Sequence, residues 1–228
     1  MRKSLRASRA MASLALAAVA LAGCDPSGPP MSKDCGKPAR EKIDWQSCDK
    51  TSANLIGANL RRAHLNYAEF RFAKLDRADL SGASLYWAYA RDAHLAGADL
   101  RGANLEEGHF ERADLRGAML RDANMKRLDL EGADLRNADL RGADMTDTVL
   151  TGADLRGANL RDAKLFDVDL AGADLTGANL TGVKVGGTWG IINKPKALPA
   201  GWSLDLLPGY NGSDAESDAY TDLVYKKP

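Results

Sequence analysis

The sequence predicts a solenoid assembled from a repeat of five residues. From residue 53 the chain divides into units of five without insertion or deletion through residue 187, which gives 27 units in 135 of its 228 residues. Ala stands two residues before the central residue in 22 units, and the centre is Leu, Phe, Met or Val in every unit except the one centred on Ala90. A period of five fits neither an α-helix nor a β-strand, so these two apolar positions must face one shared interior.

The units resemble the repeats of the pentapeptide repeat family. Representative units are Ala-Asn-Leu-Arg-Arg at 58–62, Ala-Asp-Leu-Ser-Gly at 78–82 and Ala-Asp-Leu-Arg-Gly at 153–157. The resemblance implies an all-β fold, a right-handed quadrilateral β-helix in which each unit forms one side and four units form one coil. On that plan 27 units make 6.75 coils, a rod about 32 Å long at the spacing of paired strands. Ala and Leu side chains fill so narrow a tube, which leaves no room for an internal ligand.

Residues that are twenty apart support four units per coil without reference to the family. The centres Phe70, Ala90 and Phe110 fall in one column, so the smallest centre lies between two of the largest. Four consecutive inner positions on that same side depart from Ala: Gly108, Leu128, Thr148 and Val168. Gly recurs at the corners, where a type II turn requires a positive φ. The corner column of Tyr67 and Trp87 lacks Gly and Asn through residue 167, so a different turn type is expected there.

Residues 1–23 have the pattern of an export signal. Basic residues precede the apolar stretch 11–22, which at 12 residues is too short to span a bilayer as a helix. The segment Leu-Ala-Gly-Cys at 21–24 resembles the lipobox of bacterial lipoproteins, which implies that Cys24 is lipidated and begins the mature chain. The alternatives are cleavage of an ordinary signal near Ala22 and an accidental match to the lipobox. The protein is therefore expected to be exported and anchored to a bacterial membrane, on its periplasmic or cell-surface side, with residues 24–34 as the tether.

Both ends of the solenoid need caps, because open coils expose strand edges and apolar cross-section. Residues 35–52 are the predicted N-terminal cap, in which Ile43 and Trp45 precede the first repeat in register. Cys35 and Cys48 are expected to form a disulfide there, since the chain is bound for an oxidising compartment. Residues 188–210 are the predicted C-terminal cap, and residues 211–228 are polar and expected to be loose. The apolar segments of the C-terminal cap are Trp189, Ile191, Ile192 and 198–202.

The outer walls show no catalytic constellation, and the chain is expected not to be an enzyme and to need no cofactor. His64, His94 and His109 all precede a centre but fall on three different sides, so they cannot converge on a metal ion. Ser84 stacks above His64 as a nucleophile beside a base, but no carboxylate is placed to orient that imidazole. Asp and Arg recur in ladders, which predicts a self-compensating surface, with an anion-binding Arg strip as the alternative. The Arg ladder contains Arg101, Arg121, Arg141 and Arg161.

The charge balance disfavours nucleic acid as a partner. The chain has 31 basic and 31 acidic residues, and residues 53–187 have 18 basic and 21 acidic ones, a net charge of −3. Some cytoplasmic members of the family protect DNA gyrase by mimicking DNA. A net charge of −3 produces a negative electrostatic field too weak for such mimicry, and the export signal directs the chain out of the cytoplasm.

The leading hypothesis is a lipid-anchored rod that presents a surface to an unknown envelope protein, and the alternative is a purely structural spacer at the membrane. An exposed aromatic patch distinguishes the two, because a spacer does not need one. Tyr67, Tyr86, Trp87 and Tyr89 are predicted to gather on one outer corner of the first two coils, as expected for a binding site. The other interpretation is that the segment around Trp45 or the C-terminal tail folds over them.

Overall fold

The computed structural model describes residues 30–186, 195–206 and 221–225. The predicted signal peptide, Cys24, most of the tether and the apolar residues Trp189, Ile191 and Ile192 lie outside these ranges. Within them, no helix has the length and apolar character needed to cross a membrane. The described residues from Met31 onward belong to one compact unit.

A parallel ladder with a step of twenty residues forms the body of the molecule. The residue before each centre pairs with its counterpart one coil later, from Asp44 with His64 to Asn159 with Asn179. One longer pairing in this ladder defines two strands: β1 (Lys164–Phe166) is parallel to β2 (Lys184–Gly186), with Lys164 opposite Lys184. Four units of five residues therefore complete each turn of a four-sided β-helix.

The interior consists of the Ala positions and the centres. Phe70, Ala90 and Phe110 are all at most 1% exposed, and the residues preceding them pair in one ladder, which confirms the predicted column. Thr148 belongs to the column of inner positions that are not Ala. It is buried, and its hydroxyl donates to the Met125 carbonyl at 2.8 Å. This hydrogen bond satisfies the one polar side-chain group that the column brings into the core.

The corner of Tyr67 and Trp87 has the same positive φ as the glycine corners, contrary to the different turn type predicted there. φ is 59° at Tyr67 and 54° at Trp87, compared with 64° at Gly57. The Trp87 amide donates to the Glu106 carbonyl on the next coil, 3.0 Å away, as the other corner amides do. These ladder bonds hold non-glycine residues in the left-handed region at a strain cost that Gly elsewhere avoids.

The coil begins at residue 41, so most of the predicted N-terminal cap is already β-helix. Asp44 pairs with His64 and Asp49 pairs with Glu69, while Ile43 is buried in the interior. The sequence pattern obscured this first stretch because Lys50 stands where an apolar centre is expected.

Trp45 closes the N-terminal end of the tube. It is 1% exposed, and its indole nitrogen donates to the Asp34 carbonyl at 3.1 Å. The Lys50 ammonium lies 3.9 Å from the centre of the Trp45 ring and donates to the Cys35 carbonyl, and burial lowers the pKa of Lys50. A disulfide joins Cys35 to Cys48, with their Cα atoms 5.3 Å apart. The segment before the coil is thereby fixed across the open end.

At the other end, the chain returns to the ladder after the last complete coil. Ala197 pairs with Asp174, and the Leu175 amide donates to the Ala197 carbonyl at 3.0 Å. Strand β3 (Trp202–Leu206) then pairs with β4 (Thr221–Tyr225) in an antiparallel register. The expectation of a loose tail over 211–228 differs from the structure in β4, whose Leu, Val and Tyr residues favour extended backbone.

Candidate functional site: an aromatic corner

The four aromatic residues singled out by the sequence form one cluster, which we call the aromatic corner. Tyr67 and Trp87 occupy the same corner position on successive coils, and the ladder stacks their rings at 6.4 Å with 20° between planes. Tyr86 lies edge-on to both, 5.7 Å from Tyr67 and 6.1 Å from Trp87. Tyr89 follows on the adjoining wall, where its hydroxyl lies 3.0 Å from the Trp87 indole nitrogen and accepts its hydrogen bond.

These four side chains are half-buried, partly by one another, and each retains a solvent-facing portion. The segment around Trp45 does not cover them, because the Trp45 side chain plugs the interior. Of the tail, strands β3 and β4 are described, and β4 lies near β2 at the opposite end of the coil. Neither described covering segment therefore lies over the aromatic corner.

A fixed charged group borders the aromatic corner on the next coil. Glu106 and Glu107 follow Tyr86 and Trp87 in their columns, and Arg127 bridges both carboxylates with contacts of 2.5 and 2.6 Å. Burial raises the pKa of Tyr86, and the negative charge of Glu107 adds to this effect. The corner thus combines apolar rings, phenol hydroxyls and a charged rim, as binding surfaces commonly do.

The structure does not form the Ser84–His64 pair. The two residues are ladder neighbours, but the Ser84 hydroxyl donates to the Asn66 side-chain oxygen at 2.6 Å. That oxygen also accepts the Tyr86 backbone amide at 3.1 Å. Ser84 therefore helps to position the backbone of the aromatic corner, and its hydroxyl is not directed to a base.

The Arg ladder is paired with carboxylates of its own wall. Arg101 contacts Asp99 at 2.5 Å and Arg141 contacts Asp139 at 2.6 Å, each through two side-chain hydrogen bonds. The hydrogen bonds from Arg101 lower the pKa of Asp99. The other two arginines of this ladder lie beside the following Asp: Arg121 at 3.4 Å and Arg161 at 3.2 Å. All four arginines of this ladder are thus paired with a carboxylate, as predicted for a self-compensating surface.

One cluster of potential ligands escaped the sequence analysis. The three histidines do stand in different ladders, but His109 meets two carboxylates of its own wall, Glu111 and Asp129. One donor atom from each of these three residues lies within 4.8 Å of the others. Reading the column of twenty from residue 109 to residue 129 would have revealed this group, whereas comparing histidines only with histidines did not.

Comparison with known proteins identifies the repeat. The family model for pentapeptide repeats matches eight copies over residues 51–82, 83–122, 109–147 and 143–182. Among curated proteins, none matches the chain at a significant level.

Three solved structures illustrate the similarity. HetL, a pentapeptide repeat protein involved in heterocyst differentiation regulation in the cyanobacterium Nostoc sp. strain PCC 7120, is 30% identical over 67% of this chain and 90% of its own, with a TM-score of 0.21. QnrB1, a plasmid-mediated fluoroquinolone resistance protein, is 22% identical over 63% of this chain and 82% of its own, with a TM-score of 0.31.

A pentapeptide repeat protein from the thylakoid lumen of Arabidopsis thaliana is 22% identical over 70% of this chain and 77% of its own, with a TM-score of 0.28. The family model spans residues 51–182, more than half of the sequence. Membership implies that the four-sided coil is the right-handed quadrilateral β-helix of such repeats. The chain belongs to the pentapeptide repeat family.

Proposed function

We propose that this protein is a non-enzymatic, lipid-anchored rod that presents the aromatic corner to a protein partner in the bacterial envelope. The observation that carries the proposal is the cluster of Tyr67, Tyr86, Trp87 and Tyr89, which is organised by direct ring contacts yet still open to solvent. Clustered aromatic side chains supply much of the free energy of many protein interfaces.

The anchor rests on the sequence. Cys24 lies outside the described residues, and its place after a basic stretch and a short apolar stretch supports lipidation. The tether would then lead into the capped N-terminal end, and the aromatic corner lies on coils near that end. A partner bound there would be held close to the membrane surface.

A non-enzymatic role fits the surroundings of the polar groups. The Ser84 hydroxyl donates its hydrogen bond to Asn66, and Arg101 and Arg141 of the Arg ladder form ion pairs with neighbouring carboxylates. Hydrolytic chemistry needs a nucleophile directed at a base and a concave site around it. The Ser84 hydroxyl is not directed at a base, which supports binding rather than hydrolysis as the activity of this surface.

The charge-paired walls favour a second candidate, a structural spacer with no specific ligand. A gyrase-protecting DNA mimic is less well supported, because residues 53–187 have a net charge of only −3. The similarity to QnrB1 at 22% identity bears on the fold alone. The spacer and the partner-binding protein differ in whether the aromatic corner is needed.

Replacement of Trp87 by Ala tests this difference. We expect crosslinking and capture from membranes of the native organism to recover one partner with the wild-type protein and to lose it with Trp87→Ala. The free energy of unfolding should remain within about 1 kcal/mol of the wild type, because the ring lies on the surface and is only partly buried.

Ile56→Ala is the matched control. Ile56 is 55% exposed and precedes the corner at Gly57 as Tyr86 precedes Trp87, but its corner is two sides away around the coil, diagonally opposite the aromatic corner. The same partner must be captured by Ile56→Ala at the wild-type level. Equal capture by the Trp87 and Ile56 variants, or no specific capture by the wild type, would favour the spacer.

A further inference from the structure

His109, Glu111 and Asp129 converge because of how the β-helix is built. His109 and Glu111 flank the inward-facing Phe110, so their side chains leave the same wall. Asp129 is the ladder partner of His109 one coil later. The His109 Nδ1 and Glu111 Oε1 atoms are 3.7 Å apart, and donor atoms of all three residues lie within 4.8 Å of one another.

Two further features prepare this group for a ligand. The His109 ring stacks on Tyr89 with centroids 5.1 Å apart and only 5° between planes, which restricts the orientation of the imidazole. Glu111 is about four-fifths buried, with a side-chain exposure of 21%. Its second oxygen, Oε2, is fully buried and has no hydrogen-bond partner in the structure. A buried carboxylate oxygen without a donor is costly unless a ligand satisfies it.

The charges around these three residues suit a cation. Two arginines act electrostatically on Glu111, and both also contact Asp92: Arg91 at 3.7 Å and Arg112 at 2.5 Å. On the far side stands another carboxylate, Glu131, whose amide donates to Asp129 at 3.0 Å. The wall around His109 therefore carries an excess of negative charge.

We propose that His109, Glu111 and Asp129 form a Zn²⁺ site on the wall beside the aromatic corner. One imidazole and two carboxylates match zinc, which binds nitrogen and oxygen ligands at about 2.0–2.2 Å with four ligands in a tetrahedron. Such bond lengths place neighbouring ligands about 3.4 Å apart, so the present donor atoms need only side-chain rotation to close around the ion. The fourth position remains open to water or to a group from a partner. The site stands independently of the proposed function.

Zinc titration of the full chain tests the proposal. The protein is purified without a histidine tag in a Cys24→Ala background, so that the disulfide takes up both remaining cysteines. Calorimetry and competition with a chromophoric chelator should show one bound Zn²⁺ per chain. His109→Ala should weaken binding at least tenfold, since even residues behind the ligands change metal affinity by about 10–100-fold. Glu111→Gln, which keeps the shape of the side chain, should weaken it similarly.

His64→Ala and His94→Ala are the matched controls, because each removes a histidine from the same repeat position in a different ladder. Both should bind Zn²⁺ as the wild type does. The proposal fails if no stoichiometric Zn²⁺ is bound, or if Glu111→Gln retains wild-type affinity. It also fails if the control variants lose affinity as much as His109→Ala does, or if Ca²⁺ binds and Zn²⁺ does not.

Discussion

Replacing Gly108 by Ala should destabilise the coil, although most other units have Ala at this inner position. A Cβ atom on Gly108 would lie 3.0 Å from Phe110 Cε2 and 3.1 Å from Leu128 Cδ1. Both side chains are buried in a filled interior and cannot withdraw without displacing others. The backbone of Gly108 is not in the left-handed region, so Ala would bring no backbone strain and the penalty is steric.

The expected magnitude follows from two opposing effects. An unstrained Gly-to-Ala exchange stabilises a protein by about 0.4–1 kcal/mol, because it restricts the unfolded chain. Overpacking a filled core costs about 1–3 kcal/mol. The free energy of unfolding of Gly108→Ala should therefore fall by about 1 kcal/mol, as measured by urea unfolding followed by circular dichroism.

A double variant isolates the responsible contact. Phe110→Leu alone removes buried atoms and should also lower the free energy of unfolding. Combined with Gly108→Ala, it restores the ordinary Ala-x-Leu unit, so the double variant should be about 1 kcal/mol more stable than additivity predicts. A Gly108→Ala protein as stable as the wild type would refute the steric reasoning, and strict additivity in the double variant would show that Phe110 is not the clashing side chain.

Two further predictions concern the column and the anchor. Ala90→Phe inserts a third ring between Phe70 and Phe110 and should cost about 1–3 kcal/mol of unfolding free energy; a urea midpoint equal to the wild type contradicts this packing. Cys24→Ala should release the protein from membranes or block its maturation, as followed by membrane fractionation and by the size of the processed chain. Identical processing with full membrane retention would show that Cys24 carries no anchor.

The column of Phe70, Ala90 and Phe110 could be predicted because the repeat runs without insertion through 27 units. In such a chain, the number of residues between two positions determines whether they lie on the same wall and how many coils separate them. The start of the coil could not be predicted in the same way. Lys50 replaces an apolar centre there, and only the structure shows its ammonium lying over Trp45 at the end of the tube.

The aromatic corner was predicted from column positions alone, but its turn geometry was not. Gly was expected wherever φ is positive, yet Trp87 adopts a φ of 54° because hydrogen bonds to the next coil hold its backbone. Local propensity is outweighed there by non-local pairing. The convergence of His109, Glu111 and Asp129 follows from the same column positions, but the comparison of histidines only with one another did not reveal it.

The twenty-residue ladder also governs how such a gene can change length. Deleting one residue would move every later side chain by one place and exchange core positions for surface positions. Deleting five would keep the inner and outer positions but carry the rest of the surface around to the next wall. Deleting twenty residues would remove one coil and leave every column aligned. Whole-coil steps are therefore the only changes of length that shorten or extend the protein while preserving the order of side chains along each face.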